Sequence, residues 1–424
     1  MGGGSGPLSD LVIIDCTMAL AGPFGSAILA DLGADVIKVE PPTGDMSRPS
    51  PPTPPDFIHP AQGKAGVDGG CDFGGYFGSI NRNKRSISLD LKDEADRETF
   101  LRLCEQADAV LENMRAGVMD RLGLSYETIR ERNPRIVYAA LRGFGDPRTG
   151  ESPHADWPAF DIVAQAMGGF AHINGPAGDG GSGGGYPGGA SVGDLFPGTL
   201  MALGVVAGVH HARRTGKGQF MDVAMVDGVN LLCESLFANY GAAKSNQLGP
   251  RGRHHHSLCP FGIFDAKDGG VAIAAPMPAQ WEILCHEMGR PELVDDERTK
   301  DFAARRKHRE FVEGVVSEWT GGRTRDQVVE ALAGRVPCGP VQTAADIFES
   351  PHTAVREMVA EVELPGDNEP VRIVGSPIKY TETKTGVRSR APLLDEHHEE
   401  ILAQFGINAG INAGPDQEDP PKES

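Results

Sequence analysis

The residue best suited to chemistry is Asp194, in the stretch GGASVGDLFPGTLMAL (188–203). It follows Gly193 and precedes an apolar run that predicts a long helix. Aspartate is a favoured helix N-cap, and Pro197 in the first turn agrees with that role. A carboxylate with an ordinary pKa of about 4 is also ionised at neutral pH and can attack an electrophilic carbon without a general base. The spacing alone favours the cap, but the two roles are compatible.

Three other patterns are weaker candidates for binding. The turn MALAGPFGSA (18–27) follows a predicted strand but has no G-x-G-x-x-G, which argues against NAD. The glycine-rich segment 178–189 has no Gly-Lys-Ser/Thr after it, so a flexible loop is favoured over a phosphate cradle or a lid. His254–His256 are adjacent and therefore point in different directions, so no metal site is predicted. The roles of this loop and of these histidines stay open.

A basic cluster lies in NRNKRSISLDLK (81–92), in a chain that is otherwise acidic. Its cationic residues flank a predicted strand, and ligands of open α/β sheets bind at strand ends. The cluster therefore predicts phosphate recognition by Lys84 and Arg85 about as well as it predicts a solvated face.

Composition excludes several classes of protein. The 424 residues carry 40 basic and 59 acidic side chains, a net charge of −19, which argues against binding to nucleic acid or to an anionic membrane. Seven scattered cysteines without CxxC spacing are typical of a reducing compartment. We find no signal-peptide pattern and no apolar run of membrane-spanning length, so the cytoplasm is the predicted location.

Apolar runs of strand length alternate with amphipathic segments from Leu11 onward, which predicts a parallel sheet covered on both faces. After residue 225 this alternation ends, and the sequence predicts a hairpin over 262–275 that is followed by charged helices. The predicted strands are 11–17, 34–40, 86–91, 108–113, 135–141, 218–225 and 371–380, and the predicted helices are 22–33, 93–107, 125–133, 158–171, 194–214 and a segment through about 240.

The fold class is therefore α/β, with two domains. A large Rossmann-like domain is expected over 8–225, completed by 346–406, and a smaller α+β domain over 226–345. Residues 407–424 are polar and repeat INAG, which predicts a disordered tail.

Several further blocks occur in a characteristic order: LADLGADVIKVEPPTGD, NRNKRSISLDLK, DAVLENMRAGVMDRLGLSYE, NPRIVYAALRGFG, DIVAQAMGG, RRTGKGQFMDVAMVD, PCGPV and RAPLLDEHHEEIL. With these blocks, from about Leu11 to Phe405, the chain resembles the class III CoA-transferase family. This family includes formyl-CoA, carnitine and bile-acid CoA-transferases and the 2-methylacyl-CoA racemases.

The resemblance implies that Gly193-Asp194 carries the reaction. Asp194 would attack the thioester of an acyl-CoA donor to give an aspartyl anhydride, and then an aspartyl-CoA thioester that passes CoA to an acceptor acid. Backbone N–H groups of the glycine-rich surroundings and of the helix N-terminus are expected to stabilise the oxyanion.

The resemblance and the basic cluster together give the expected contacts with CoA. No tightly bound cofactor and no metal are expected, because the CoA thioester is a substrate. A basic residue that some members place before the DIVAQ helix is replaced here by Pro158, which removes one phosphate contact. The expected contacts are Ala19, Leu20, Ala21, Lys84, Arg85, Leu89, Asp90, Leu91, Lys92, Asn113, Met114, Arg115 and Arg121.

The racemase branch is the main alternative within the family. It resembles this chain but places a histidine before the acid of the DIVAQ helix, where this chain has Phe160 and Asp161. Phenylalanine cannot exchange a proton, so transfer is favoured over racemisation. A non-catalytic CoA-binding protein is the second alternative.

Substrates and assembly follow from the same comparison of residues. Oxalate-using members carry a glutamine where this chain has Leu20, which argues against oxalate as the substrate. Leu20 and Phe160 would form an apolar pocket, which favours succinyl-CoA as the donor and a larger organic acid as the acceptor. The resemblance also implies a homodimer of two interlocked rings. Neither a nucleic acid nor a membrane is expected as a partner.

Overall fold

The computed structural model describes residues 6–52, 73–177, 185–244, 248–363 and 370–407. Most of the predicted tail (408–424) and part of the glycine-rich loop (178–184) lie outside the described residues. The chain divides into two compact units: the first contains 1–168, 189–233 and 352–424, and the second contains 169–188 and 234–351.

The strands of the described residues form three sheets, and their bounds are as follows in chain order. They are β1 Val12–Asp15, β2 Asp35–Glu40, β3 Arg85–Ser88, β4 Ala109–Glu112, β5 Val137–Arg142, β6 Gln219–Ala224, β7 Phe261–Ala266, β8 Gly269–Ala274, β9 Cys338–Pro340, β10 Val359–Val362 and β11 Val371–Val374.

The described helices are likewise given in chain order. They are α1 Ala21–Asp31, α2 Gly75–Ile80, α3 Glu94–Gln106, α4 Val118–Arg121, α5 Tyr126–Arg132, α6 Asp161–Met167, α7 Phe170–Ile173, α8 Val192–Thr215, α9 Met225–Leu232, α10 Glu234–Ala243, α11 Pro278–Glu287, α12 Phe302–Lys307, α13 Arg309–Gly321, α14 Arg325–Leu332, α15 Ala344–Glu349, α16 Pro351–Val355 and α17 His398–Gln404, with a 3-10 turn at Pro291–Val294.

The first unit is built on a six-stranded sheet in the order β3-β2-β1-β4-β5-β6. All its strand pairs are parallel, which confirms the prediction from the alternating apolar runs. The strand order reverses between β1 and β4, so the connections after these two strands leave in opposite directions. This arrangement opens a crevice at their carboxyl ends, where ligands bind in sheets of this kind.

Helix α8 packs against α1 at a distance that only glycine allows. A Cβ atom on Gly198 would lie 2.2 Å from the carbonyl oxygen of Ala21, and one on Gly25 would lie 2.4 Å from the carbonyl oxygen of Gly198. Within the described part of the chain, α8 alone is long and apolar enough to cross a membrane. The prediction that no run reaches that length was therefore wrong, although one face of α8, which includes Met201, Val205 and Val209, is buried.

The C-terminal segment covers the outer edge of β3. The backbone N–H of Ser86 donates to Nδ1 of His397 (3.3 Å), and that of Ser88 donates to Oδ1 of Asp395 (2.7 Å). The N–H of His397 in turn donates to the carbonyl of Ser86. An edge strand with free donors can pair with other chains, and this segment removes that possibility.

The second unit contains a three-stranded antiparallel sheet, β7-β8-β9. The hairpin of β7 and β8 confirms the predicted one, with its turn at Lys267-Asp268. One face of the sheet packs on a core that includes Phe264, Trp281 and Val316. The fold class is thus α/β in the first unit, with a smaller antiparallel sheet in the second.

Three predicted elements are shorter or divided. The helix expected over 158–171 is split into α6 and α7 because Gly169 has a φ of 93°, in the left-handed region. The helix expected to run through about 240 is divided at Cys233 into α9 and α10. The strand expected over 371–380 is ordered as a strand only in β11.

Candidate active site

Asp194 lies in the first turn of α8 but does not cap it. The helix begins at Val192 with Ser191 as the N-cap residue, so Asp194 is the third helical residue. The prediction that Asp194 is an N-cap was therefore wrong by three positions. Its half-buried carboxylate does not serve as the cap and is therefore available for a chemical role.

The carboxylate of Asp161 fixes the head of α8. Its Oδ1 accepts the N–H of Gly193 (2.8 Å), and its Oδ2 accepts Nε2 of Gln165 (2.7 Å). Position 193 must be glycine, since a Cβ there would lie 2.7 Å from the carbonyl oxygen of Asp161. Asp161 thus sets the position of the residue that follows Gly193.

Burial raises the pKa of Asp194 to about 7, and the negative charge of Asp161 adds to this effect. The expectation of an ordinary pKa was therefore wrong, because the sequence does not show that a second carboxylate lies alongside. Close to neutral pH, Asp194 exists as a mixture of acid and carboxylate. A carboxylate attacks only in its ionised form, and weak solvation makes that form more reactive.

Tyr76 of α2 is a neighbour of this carboxylate that the sequence analysis missed. Burial raises the pKa of its hydroxyl to about 12, and the charges of Asp194, Asp45 and Asp161 act in the same direction. The hydroxyl therefore stays protonated and can donate a hydrogen bond. A signal was present in GGYFGSI, immediately before the basic cluster, but nothing in the sequence connects that segment with Asp194.

The first turn of α8 cannot supply the expected oxyanion donors in this conformation. The N–H of Val192 donates to the carbonyl of Ala190 (2.7 Å), and the N–H groups of Asp194 and Leu195 donate to the carbonyl of Ser191 (3.0 and 2.9 Å). The N–H of Gly193 is held by Asp161, as described above. That expectation was wrong for these four groups because side-chain and turn acceptors already occupy them.

Two segments expected to contact CoA meet at the crevice between β1 and β4. The N–H of Met18 donates to Oδ1 of Asn113 and the carbonyl of Met18 accepts from Nδ2 of Asn113, both at 2.8 Å. The next residue, Ala19, has a φ of 66° and donates its N–H to Asp45 (3.2 Å). Ala19, Leu20 and Ala21 therefore lie beside Asn113, Met114 and Arg115.

The contact between α1 and α8 brings Asp194 to the same place. Gly198, one helical turn after Asp194, touches Ala21 at the start of α1. Residues four apart lie on the same face of a helix, so Asp194 lies on the face of α8 that packs against the start of α1. The half-buried carboxylate of Asp194, its like-charged neighbour Asp161 and the carboxyl ends of β1 and β4 all belong to the first unit.

Comparison with known proteins decides the family. Residues 8–398 match the model of "CoA-transferase family III". The chain belongs to CoA-transferase family III. It is 45% identical over 407 residues to succinyl-CoA:mesaconate CoA-transferase of Haloarcula hispanica, which covers 96% of this chain and 98% of that protein.

Two further similarities extend the comparison. Acetyl-CoA:oxalate CoA-transferase of Acetobacter aceti is 35% identical, over 94% of this chain and 96% of its own. The crystal structure of a CAIB/BAIF family protein from Brucella suis has a TM-score of 0.79 and 32% identity, and the match covers 95% of this chain and 100% of that one. The protein is an enzyme that transfers CoA between an acyl-CoA and a carboxylic acid.

Lys84 and Arg85 of this CoA-transferase are structural residues, contrary to the phosphate-binding prediction. Lys84 is buried, and its Nζ donates to Oδ2 of Asp15 (2.9 Å). Arg85 opens β3 at its amino end, away from the crevice, and pairs with Asp35 and Glu400. Each of these cations pairs with a carboxylate that is distant in the sequence, and not with a phosphate as predicted.

The other expected CoA contacts of the CoA-transferase lie beyond the carboxyl end of β3 or β4. Leu89 is only 2% exposed and packs in the core, so its side chain is not available to line an adenine pocket. Asp90 and Lys92 are exposed and Leu91 is half-buried. Arg121 is exposed at the end of α4.

Two remaining predictions concern Phe160 and the histidines. Phe160 is 64% exposed and is the N-cap residue of α6, immediately before Asp161. His254–His256 lie in the second unit, where Arg309 donates to the carbonyl oxygens of His255 and His256. Among the described residues, no group of three or more His, Cys, Asp or Glu side chains could hold a metal ion.

Proposed function

We propose that this CoA-transferase moves CoA from succinyl-CoA to an unsaturated dicarboxylic acid of the mesaconate type, with Asp194 as the covalent nucleophile. The observation that carries the proposal is the half-buried carboxylate of Asp194, held at the crevice by Asp161 through Gly193. The choice of acids is supported by the relative that shares 45% identity over nearly the whole chain.

The reaction begins when an Asp194 oxygen attacks the thioester carbonyl of the donor. The C–S bond breaks, CoA leaves as a thiolate, and the donor acyl group becomes an anhydride with Asp194. The thiolate then attacks the aspartyl carbonyl, which releases the donor acid and leaves an aspartyl-CoA thioester. Covalent catalysis of this kind divides a difficult exchange into easier steps.

The second half repeats these steps with the acceptor. Its carboxylate attacks the aspartyl-CoA thioester and expels the thiolate, giving an anhydride between Asp194 and the acceptor. The thiolate then attacks the acceptor's carbonyl, which forms the new acyl-CoA and restores the Asp194 carboxylate. One thioester is exchanged for another, so no external energy source or oxidant is required.

In this proposal, the CoA substrate lies in the crevice between β1 and β4. The turn of Ala19–Ala21 and the segment Asn113–Arg115 would meet the pantetheine and the diphosphate. Arg121, together with Asp90, Leu91 and Lys92 beyond β3, would border the nucleotide. Their position at the carboxyl ends of the strands is what supports this placement.

Trapping tests the covalent step. Enzyme incubated with succinyl-CoA is treated with hydroxylamine or borohydride, and peptides are analysed by mass spectrometry. The modification should fall on Asp194 alone, and Asp194→Asn should lower turnover at least about a thousandfold. Asp326→Asn, at an exposed aspartate of α14, is the matched control and should keep full activity. Labelling at another residue would exclude Asp194 as the nucleophile.

Substrate choice is tested separately by mass spectrometry of the CoA esters formed from a panel of acids. Mesaconate with succinyl-CoA should give the fastest exchange. Transfer that is efficient only to other acids would refute the dicarboxylate assignment and leave the covalent mechanism standing. Exchange of an α-proton in deuterated water without an acceptor would instead reveal the racemase chemistry.

We also propose a cytoplasmic homodimer, with the two chains interlocked as in the resemblance noted above. Three helices that pack together in the first unit expose large apolar side chains, Ile162 on α6, Leu203 on α8 and Leu231 on α9. Where exposed apolar side chains form one patch, the patch marks an interaction surface. Light scattering should give twice the 45.0 kDa of the chain at every dilution. A monomer with full activity would contradict the dimer.

A further inference from the structure

A buried group of three charged side chains lies next to the crevice. Glu112 closes β4, Arg142 closes β5, and Asp146 follows four residues later. All three are at most 7% exposed. One guanidinium serves two carboxylates, since Nη2 of Arg142 donates to Glu112 and Nη1 donates to Asp146.

This group holds both backbone polar atoms of Met114. Nε of Arg142 donates to the carbonyl oxygen of Met114 (3.1 Å), and Oε2 of Glu112 accepts the N–H of Met114 (2.8 Å). The preceding residue, Asn113, is fixed to Met18 by the two hydrogen bonds already described. The backbone of 113–114 is therefore held from β1, β4 and β5 at once.

A buried ion pair is weak evidence for stability, because the loss of solvation offsets much of the attraction. Hydrogen bonds to a charged partner are, by contrast, short and directional, and they fix geometry. A segment that is already fixed loses little conformational entropy when a ligand binds. The arrangement is therefore better suited to fixing the Met114 segment than to stabilising the fold.

We propose that Arg142 is a positioning residue for CoA. With Glu112 and Asp146 it fixes the backbone of Met114 in the geometry that receives the CoA thioester. The inference rests on the proposed function because it takes CoA to lie in the crevice between β1 and β4. Arg142 acts on affinity for CoA and not on the chemistry at Asp194.

The test compares three variants by titration calorimetry with CoA and by steady-state kinetics. Arg142→Met should raise the Kd of CoA and the KM of succinyl-CoA about ten- to hundredfold, the range expected for losing a charged hydrogen bond. The kcat and the KM of the acceptor acid should stay within about threefold. Arg142→Lys should recover part of the affinity. Arg132→Met is the control because it removes an exposed arginine that pairs with Glu98 and Glu105.

The result that overturns the proposal is a folded Arg142→Met enzyme with unchanged CoA affinity, or one that loses kcat alone. If that variant does not fold, the proposal is tested by the CoA affinity of Glu112→Gln and by amide exchange of the wild type. The amide of Met114 should be protected before CoA is added, and rapid exchange that slows only with CoA would refute the inference. Wild-type enzyme that binds no CoA at all would refute the proposed function instead.

Discussion

Asp161 has two opposite effects on Asp194. Its hydrogen bond to Gly193 fixes the nucleophile in place, while its charge helps to keep the nucleophile protonated. Both residues stand out in the sequence, but their coupling does not, because 32 positions separate Asp161 from the N–H that donates to it. Asp161 thus acts on both the position and the ionisation of Asp194, and it adds to the larger effect of burial on the pKa.

The first prediction concerns pH. Only ionised Asp194 attacks, and its pKa is raised to about 7, so kcat/KM should increase with pH and level off above about 8. Asp161→Asn removes the like charge but keeps an oxygen that can accept from Gly193. Its profile should therefore shift to lower pH with little loss of maximal rate, as measured by kcat/KM from pH 5 to 9. An unchanged midpoint would show that Asp161 does not influence the nucleophile.

The second prediction concerns Tyr76, whose hydroxyl stays protonated beside three carboxylates. Tyr76→Phe removes a neutral donor whose pKa responds to the charge of Asp194, and it should lower kcat/KM about tenfold. Tyr380→Phe, at an exposed tyrosine, should leave the rate unchanged. Urea unfolding of both variants should show a change below about 1 kcal/mol. A Tyr76→Phe enzyme with wild-type kinetics would place the hydroxyl outside the reaction.

At the scale of the elements, the sequence predicts the sheet well because the central strands β1, β4 and β5 are short, largely apolar runs. It does not predict the breaks at Gly169 and Cys233, where the helical pattern of the sequence continues through the break. Charged residues at strand ends are the weakest part of the prediction. Glu112 and Arg142 end apolar strands, a visible signal, but their partners cannot be assigned without the strand order.

The third prediction separates a structural lysine from a ligand. Lys84 was predicted to bind phosphate, but it is buried against Asp15, and burial lowers the pKa of its ammonium to about 8. Lys84→Met leaves the Asp15 carboxylate with one cation fewer and should cost about 3–5 kcal/mol of unfolding free energy. The KM for succinyl-CoA should stay unchanged for the fraction that folds.

The control for this prediction is Lys92→Met, at an exposed lysine beyond β3. It should raise the KM for succinyl-CoA a fewfold and leave the urea midpoint unaltered. If Lys84→Met instead raised the KM for succinyl-CoA and left the stability unaltered, while Lys92→Met lowered the stability, Lys84 would bind phosphate as the sequence predicts. Its ion pair with Asp15 would then contribute little to the stability.

At the scale of the whole molecule, the first unit depends on residues from both ends of the chain. Asn83 makes the connection: its Nδ2 donates to Asp31 and to the carbonyl of Gly386 (2.8 and 2.9 Å). Its Oδ1 accepts the N–H groups of Arg388 and Ser389 (2.6 and 3.0 Å). No pattern in the sequence indicates that residues 303 to 306 positions apart share one amide.

The fourth prediction tests this connection. Asn83→Ala loses four hydrogen bonds and places alanine at a φ of 63°, so it should lower the unfolding free energy by about 3–5 kcal/mol in urea. Glycine tolerates the same φ, so Asn83→Gly should lose only the part of the unfolding free energy that comes from the hydrogen bonds. Equal stability of the alanine variant and the wild type would show that the C-terminal segment is held by its other contacts.

The cover that Asp395 and His397 provide for β3 has a consequence during protein synthesis. A ribosome releases β3 long before it releases these residues, and the whole stretch 234–351 of the second unit emerges in between. The nascent polypeptide therefore presents an open strand edge for most of its translation. Chaperone occupancy of the nascent chain should be greatest in that interval and should end as α17 leaves the exit tunnel.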